Sequence, residues 1–389
     1  MKKVAIFIQS LGAGGAERIV SYLLHEARGR FDVHLILLKD EIAYPVPDGT
    51  PVKVISLGGS AGAGQMGVLL TPLLARRLKA YLEAQGIETV LSLLNRPNLV
   101  AAHVKNLGWQ GRVIVSERAD TLAYYGSVRF GWLMIALVRR LYPRADVVTA
   151  ISRGIGLSLG RLGVRDVRVI YNPIHPAPRV PPSNPGPFTY ITVGRLEPQK
   201  NQALLLRAFA QLPDRDSQLI LLGKGSLHGD LVALAQSLGI AERVQFAGLQ
   251  SDVGAWLDRS HCFVFSSDFE GFGNVLLEAM NAGLPIVSTD CPYGPREILA
   301  PGTDPARMLR EGNEAAEFGI LTPVGSAADL AHAMQTLRND PELRERYRHA
   351  GARRVLDFDI KAIAEQYFDL MSGPTGGSAA ASDAREGSP

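Results

Sequence analysis

Short apolar runs recur along the chain, each followed by a glycine-rich or polar turn and then by residues of helical periodicity. VAIFIQS (4–10), DVHLILL (32–38), TVLSLL (89–94), RVIVSE (112–117) and DVVTAIS (146–152) read as strands. Continuous apolar runs of this length suit parallel strands covered on both faces. A helix is predicted from about Ala16 to Glu26, and further helical stretches separate the later strands. Strand and helix in alternation predict an α/β doubly wound sheet. The pattern then breaks at NPIHPAPRVPPSNPGP (172–187), which has seven prolines in sixteen residues. Proline neither donates to a ladder nor continues a helix, so 173–187 reads as a linker and hinge. Beyond it the pattern restarts with TYITVG (189–194), SQLILLG (217–223), VQFAG (244–248), CFVFSS (262–267) and PIVST (285–289), with helices over 201–212 and 228–238. The expected organisation is a first domain over 1–172 and a second over 188–356. A last helix follows at about 360–371, and a small, polar tail over 372–389 is expected to be disordered.

Composition adds bounds. The 389 residues suffice for two domains, and 46% hydrophobic with 20% charged residues describe a soluble globular protein. Cys262 and Cys291 have no metal-ligand spacing and suggest no disulfide framework, so a reducing cytoplasm is expected. The N-terminal run VAIFI is too short for a signal peptide and is read as the first strand. No run of about 18 uncharged apolar residues predicts a membrane-spanning helix. The charge is uneven. Residues 1–170 hold 22 Lys and Arg against 12 Asp and Glu, and the remainder holds 19 against 26. A basic half suggests an anionic partner such as nucleic acid, acidic lipid or a diphosphate; an ordinary solvated surface is the alternative.

Four motifs sit at predicted strand ends, where doubly wound sheets bind ligands. LGAGGAER (11–18) would let backbone approach a ligand, with the next helix offering amides to an anion. As a dinucleotide fingerprint it is degenerate, because Glu17 stands at the third glycine position; a plain tight turn is the other alternative. VGRLEPQKN (193–201) places Arg195 and Lys200 around a short loop, where two cations and a helix terminus can converge on a diphosphate; a solvated loop whose charges pair with Glu197 is the alternative. LLGKGS (221–226) leaves room for a flat group, such as a nucleobase, against backbone at Gly223 and Lys224; an ordinary β–α turn is the alternative. SSDFEGFGNVLLEAMNAGLP (266–285) runs from a strand through an acidic glycine loop into a helix, with Asn274 as the expected N-cap. Glu270 then lies in the loop and Glu278 about one turn inside the helix. Such carboxylates can accept from sugar hydroxyls, or serve as a hydrolytic acid and base. The cations at Arg195 and Lys200 favour a phosphorylated ligand.

Residues 270–278 carry E-x7-E within EGFGNVLLEAMNAGLPIV. This resembles the donor-site signature of retaining glycosyltransferases of family 4. GGAER (14–18), GRLEPQKN (194–201), LLGKGS and CPYGPREIL (291–299) follow in that family's order. The resemblance spans most of 4–371. It implies the GT-B fold, two Rossmann-like domains facing a central cleft, with the helix at 357–371 crossing back to the first domain. It further implies that Arg195 and Lys200 bind the donor diphosphate and that Glu270 contacts the transferred sugar. The amides of Gly271, Phe272 and Gly273 would lie beside it, and Asn274 and Val275 would also belong to the donor site. Glu278 would hold the ribose, Gly223 and Lys224 would border the base, and Gly14 and Gly15 would approach the phosphates. Many relatives carry a histidine after the fourth or fifth strand. VSERADT (115–121) has none, so Glu117 and Arg118 are expected in its place. His103, on the apolar helix NLVAAHVKNL, is read as structural.

No metal or other cofactor is expected, since GT-B relatives usually need none and the nucleotide-sugar is a substrate. Asp214-Arg215-Asp216 and Asp357-Phe358-Asp359 both read D-x-D, but the first lies in a loop before a strand and the second at a predicted helix start. The expected activity is hexosyl or N-acetylhexosaminyl transfer from a nucleotide-diphosphate sugar, expected to be UDP-linked, to a glycan or polyprenyl-diphosphate-linked acceptor. No nucleic-acid partner is expected. VRFGWLMIALVRRLYPR (128–144) reads as a basic amphipathic helix, with Arg129, Trp132, Arg139, Arg140 and Arg144 suited to an anionic membrane surface; a core helix with a basic end is the alternative. The expected location is cytoplasmic, peripheral on the inner face of the cytoplasmic membrane. Competing readings are a GT-B epimerase or phosphorylase, a dinucleotide oxidoreductase, and a non-catalytic nucleotide- or glycan-binding module.

Overall fold

The computed structural model of the chain describes residues 1–12, 14–56, 70–126, 131–177 and 186–373. Arg129, most of the proline-rich segment and the tail from residue 374 lie outside the described residues. The chain forms two compact units. The first comprises Met1–Ile151, Ile155–Tyr171 and the chain from Lys361 onward; the second comprises Ser152–Gly154 and Asn172–Ile360.

The first unit is built on strands β1 (Lys2–Ile8), β2 (Phe31–Leu37), β3 (Val52–Val54), β4 (Thr89–Leu93), β5 (Arg112–Glu117), β6 (Val147–Ala150) and β7 (Arg168–Val169). They form one sheet in the order β3-β2-β1-β4-β5-β6-β7, and every pairing is parallel. Sequence order reverses direction between β1 and β4, which makes that the topological switch point of the sheet. Helices α1 (Gly15–Glu26), α2 (Thr71–Gln85), α3 (Asn95–Asn106), α4 (Thr121–Gly126), α5 (Gly131–Leu141) and α6 (Arg153–Arg161) supply the crossovers. The central strands are buried on both faces, which is why they read as unbroken apolar runs.

The second unit repeats the plan. Its strands are β8 (Thr189–Val193), β9 (Gln218–Leu222), β10 (Val244–Gly248), β11 (Cys262–Phe265), β12 (Ile286–Thr289), β13 (Glu314–Ala315) and β14 (Ile320–Thr322). The order is β10-β9-β8-β11-β12-β14-β13, parallel except where β13 meets β14. Its switch point lies between β8 and β11. The helices are α7 (Gln202–Ala210), α8 (His228–Ser237), α9 (Val253–Asp258), α10 (Asn274–Asn281), α11 (Pro295–Leu299), α12 (Ala327–Asn339) and α13 (Pro341–Arg354).

Helix α14 (Ile360–Ser372) closes the first unit. Ile363, Ala364, Tyr367, Phe368, Leu370 and Met371 join the core formed by β1, β2 and α1. The Phe368 ring lies 5.6 Å from that of Phe31, and Arg30 pairs with Glu365 at 2.5 Å. Lys2 Nζ donates to the Gly373 carbonyl at 3.0 Å.

Several expectations need correction. Residues 152–154 group with the second unit although the first domain was drawn to residue 172, because the Glu297 carboxylate accepts the Arg153 and Gly154 amides at 2.6 and 3.0 Å. Residues 357–360 also stay with the second unit, and the last helix begins at Ile360. The proposed 128–144 helix is α5 followed by a 3-10 turn over Tyr142–Arg144, where Pro143 cannot extend the α-helical ladder. Strands β3, β7, β13 and β14 are two or three residues long, too short to show a period. The D-x-D acids have local duties: Asp214 accepts the Ser217 amide at 2.9 Å, and Asp357 pairs with Arg354 at 2.7 Å.

Burial pushes the Cys262 and Cys291 thiols well above their usual range. A group with a raised folded pKa contributes stability that is complete below its unfolded pKa and is lost as pH rises. The unfolded thiols ionise near pH 8.5 while the folded ones stay protonated, so stability should fall by about 1.4 kcal/mol per pH unit per thiol above that point. Denaturant unfolding of wild type and Cys262→Ala between pH 7 and 10 checks this: the variant should show the shallower decline.

Candidate active site

The loops after β8 and β11 flank the switch point of the second sheet. After β8 the chain runs through Gly194 and Arg195 into a 3-10 turn, Pro198–Lys200, and then Asn201. Asn201 takes a left-handed conformation (φ 43°) and caps α7, its side-chain oxygen accepting the Leu204 amide at 3.1 Å. Its amide nitrogen donates to Asp268 at 2.8 Å. The Asp268 backbone N–H donates to the Gln199 carbonyl at 2.9 Å, and Ser266 Oγ donates to the Lys200 carbonyl at 2.9 Å. These bonds fasten the two loops on either side of Lys200. Lys200 Nζ then lies 2.5 Å from Glu270 Oε1, with the two side chains 17% and 8% exposed. The ammonium also sits 5.4 Å from the centre of the Phe265 ring.

The loop after β9 lies directly on this arrangement. A Cβ on Gly223 (φ 140°) would stand 1.9 Å from the Gly194 carbonyl oxygen, and one on Gly225 would stand 2.2 Å from that of Leu196. Only glycine permits this approach. Leu196 N–H donates to the Lys224 carbonyl at 3.0 Å. Glu197 accepts both the Ser226 amide and hydroxyl, at 3.0 and 2.9 Å, which lowers its carboxyl pKa. The side chains of Arg195 and Lys224 are exposed.

The loop carrying Glu270 is interlocked with residues 292–294. Glu270 N–H donates to the Pro292 carbonyl at 2.5 Å, and Tyr293 N–H donates to the Glu270 carbonyl at 3.2 Å. Gly294 is so close that a Cβ there would meet the Phe272 carbonyl at 1.9 Å. Phe272 is buried against Phe358, with ring centroids 5.7 Å apart, which keeps its side chain out of solvent. The expected cap at Asn274 is corrected: Gly273, at φ 92°, occupies the N-cap, and Asn274 is the first helical residue. The Asn274 side chain instead accepts from Asn172 at 2.6 Å. The Leu276 amide is already given to the Gly273 carbonyl at 2.9 Å, which confines an anion-binding turn to the amides before it. Gly271, Val275 and Glu278 are half-exposed along this loop and helix.

A buried network supports the neighbouring strand end. Arg296 contacts Asp290 at 2.6 Å and Glu314 at 3.1 Å, and Asp290 also accepts the Leu309 amide at 2.7 Å. Arg296 lies in CPYGPREIL, and Pro-Arg-Glu opening a helix is the signal in the sequence that could have found it.

In the first unit, Gly14 caps α1 and Gly15 is exposed in its first turn. A Cβ on Gly14 would lie 2.1 Å from Glu17 Oε2. Burial raises the Glu17 carboxyl pKa, while the Arg118 charge opposes the rise. Glu117, at the end of β5, is fully buried: Tyr142 donates to Oε2 at 2.6 Å, and the Arg118 amide donates to Oε1 at 3.0 Å. Burial pushes its carboxyl upward against those hydrogen bonds. The Arg118 guanidinium donates to the Tyr367 hydroxyl of α14 at 3.2 Å. On α5, Met134, Val138 and Leu141 are buried, while Trp132, Arg139, Arg140 and the following Arg144 are exposed. The helix therefore combines both expected readings, one face in the core and one in solvent.

The structure thus gathers Lys200, Glu270, Gly223, Lys224 and 271–278 around one switch point. It gathers Gly14, Glu17, Arg118 and Tyr367 in the other unit. Sequence reading missed Asn201 and Asp268, although asparagine before a helical run is a capping signal.

Family models match both units: a Glycosyltransferase Family 4 model over residues 13–177 and a Glycosyl transferases group 1 model over residues 176–354. An N-acetylgalactosamine-N,N'-diacetylbacillosaminyl-diphospho-undecaprenol 4-alpha-N-acetylgalactosaminyltransferase of Campylobacter jejuni is 31% identical over 387 residues, covering 96% of this chain and 100% of that one. The chain belongs to glycosyltransferase family 4. Among solved structures, this glycosyltransferase is similar to Anabaena HepE in complex with UDP, with a TM-score of 0.77, 22% identity, and coverage of 96% of this chain and 100% of that one. The lipopolysaccharide outer core galactosyltransferase WaaB aligns with a TM-score of 0.73 at 20% identity, covering 95% and 99%. These likenesses establish the GT-B fold.

Two outcomes follow for this transferase. Asn201→Asp keeps the helix cap but sets a carboxylate against Asp268, so it should raise the donor KM about tenfold while leaving the melting temperature within a few degrees; Asn201→Ala should lower both affinity and stability, by about 1 kcal/mol for the lost cap. Gly223→Ala places its methyl on a carbonyl oxygen and should abolish nucleotide binding in titration calorimetry; wild-type affinity would show that the two loops separate freely.

Proposed function

We propose that this glycosyltransferase moves a hexose or N-acetylhexosamine, with retention, from a UDP-sugar to a glycan or polyprenyl-diphosphate-linked acceptor at an anionic membrane surface. The observation that carries the reading is the Lys200–Glu270 pair at the β8/β11 switch point, flanked by the Gly223 loop and the first turn of α10. A nucleotide-sugar brings its own leaving group, so the site must stabilise charge gathering on the diphosphate. Lys200 has three donors and can keep Glu270 while donating to a phosphate oxygen. Arg195 and the α10 amides at 274 and 275 add to that stabilisation, which leaves no step requiring a metal. Glu270, anchored through its own amide to Pro292, orients the sugar hydroxyls as the ring gains oxocarbenium character. Glu278 takes the ribose, and Gly223 with Lys224 borders the base.

Retention requires the acceptor to enter from the leaving-group face, where a departing phosphate oxygen takes its proton. Glu117 is too deeply buried to touch the sugar. It acts by fixing the end of β5 beside which Arg118 is buried against Tyr367, while Gly14 and Gly15 open α1 with amides suited to an anion. The acceptor class rests on the names of full-length relatives from Campylobacter jejuni, which act on diphospho-undecaprenol-linked sugars. No described helix is long and apolar enough to cross a membrane, so surface attachment would use exposed basic and aromatic residues.

A panel of nucleotide-sugars with a polyprenyl-diphosphate-linked acceptor tests the proposal. UDP release should depend on acceptor, and Lys200→Ala and Glu270→Ala should each lower kcat by about 10²–10³-fold. Acceptor-independent turnover, or a variant with wild-type kcat, would overturn it.

A further inference from the structure

Helix α5 presents an i, i+4 row of apolar residues, Leu133, Leu137 and Leu141, extending about 12 Å along its axis. This row borders a groove of about 460 Å³ in the first unit, closed on another side by Pro72 at the start of α2. Arg140 and Arg144, again four residues apart, line the same groove. Both are exposed, so their guanidinium groups stand in solvent beside an apolar trough. His103 also lines the groove, and burial holds its pKa below the usual range, so near neutral pH the arginines supply the positive charge. Immediately outside, Trp132 is 68% exposed and Arg139 is exposed on the same helix.

The combination restricts the occupant. An apolar trough alone could take a side chain or a neighbouring helix. Two arginines at its border call for an anion of phosphate type, which guanidinium groups bind bidentately. The volume suits one flexible hydrocarbon chain with a head group. An exposed tryptophan with arginines around it is the composition of a surface lying at the water–lipid boundary. We infer that this groove is a site for one anionic phospholipid of a bilayer, its phosphate held by Arg140 and Arg144 and one acyl chain lying along Leu133, Leu137 and Leu141. The site gives a specific contact to the membrane attachment proposed above and rests on that part of the reading alone. It involves neither the donor site nor turnover.

Vesicle co-sedimentation of the full chain, without donor or acceptor, provides the test. The protein should bind phosphatidylcholine vesicles containing phosphatidylglycerol and not phosphatidylcholine alone. Arg140→Glu with Arg144→Glu should lower the partition coefficient by about 30-fold or more, taking about 1 kcal/mol per basic residue near the surface. Arg161→Glu with Arg165→Glu makes the same change of net charge on exposed residues elsewhere in the unit and should leave binding within about threefold. The chain-binding half is read from soluble ligands: lysophosphatidylglycerol should bind, glycerophosphoglycerol should not, and Leu137→Gln should weaken the lysolipid without moving the melting temperature by more than a few degrees. Equal losses in the two arginine pairs would reduce the groove to general charge and overturn the site. Competition by glycerophosphoglycerol as effective as by the lysolipid would overturn the chain-binding half. Binding to neutral vesicles carrying polyprenyl phosphate, but not to those carrying phosphatidylglycerol, would overturn the bilayer phospholipid as its source. Sugar transfer is not measured, so failure here leaves the donor-site reading intact and failure there leaves this one intact.

Discussion

The second unit depends on a lysine and a glutamate held together out of water. Lys200 and Glu270 come from loops 70 residues apart in sequence and meet at 2.5 Å with little exposure. Removing either partner leaves a buried charge alone, at a cost of about 3–5 kcal/mol. The pair therefore fixes the loops to one another. The bonds behind it serve the same end: Asn201 to Asp268, Ser266 to the Lys200 carbonyl, and Glu270 through its amide to Pro292. With both loops fastened on either side, the ammonium and the carboxylate have little conformational freedom left to lose.

Such proximity is possible only because the surrounding loops have almost no thickness. Gly223, Gly225 and Gly294 each lie where a methyl group would overlap a carbonyl oxygen. Backbone packs on backbone through all three loops around the switch point, which leaves the exposed side of each for recognition. The first unit solves its own strand-end problem differently. There, buried polar side chains gather at the end of β5: Glu117 receives Tyr142 and the backbone, and Asn98 links the Ser116 carbonyl to Tyr142 at 2.8 and 3.3 Å. A satisfied polar network of this kind is stiff, since each member that moved would leave others unpaired.

Much of the architecture was legible in the chain because parallel strands covered on both faces must be apolar throughout. Runs such as VAIFI and QLILL have few other interpretations. The short edge strands were not legible, because two or three residues carry no period. The site was legible where chemistry demanded unusual residues, in the glycine loops and the acids at 270 and 278. It was opaque where function depends on a conformation: nothing in the letters says that Asn201 turns left-handed, or that Gly273 rather than Asn274 caps α10. Glu117 shows what a single sequence hides: its position at a strand end was legible, but its depth inside the unit was not.

The return of α14 has a consequence for how the chain matures. The first unit is discontinuous, and the buried residues of α14, Ile363 to Met371, belong to a core whose other buried members precede residue 171. During synthesis those early residues leave the ribosome long before their last partners exist. Domains usually fold in order as they emerge, N-terminal first. Here the order is inverted: the second unit has its complete set of contacts sooner, while the first waits with part of its apolar surface uncovered. Until the final helix arrives, that surface is the part of the nascent chain most in need of a chaperone.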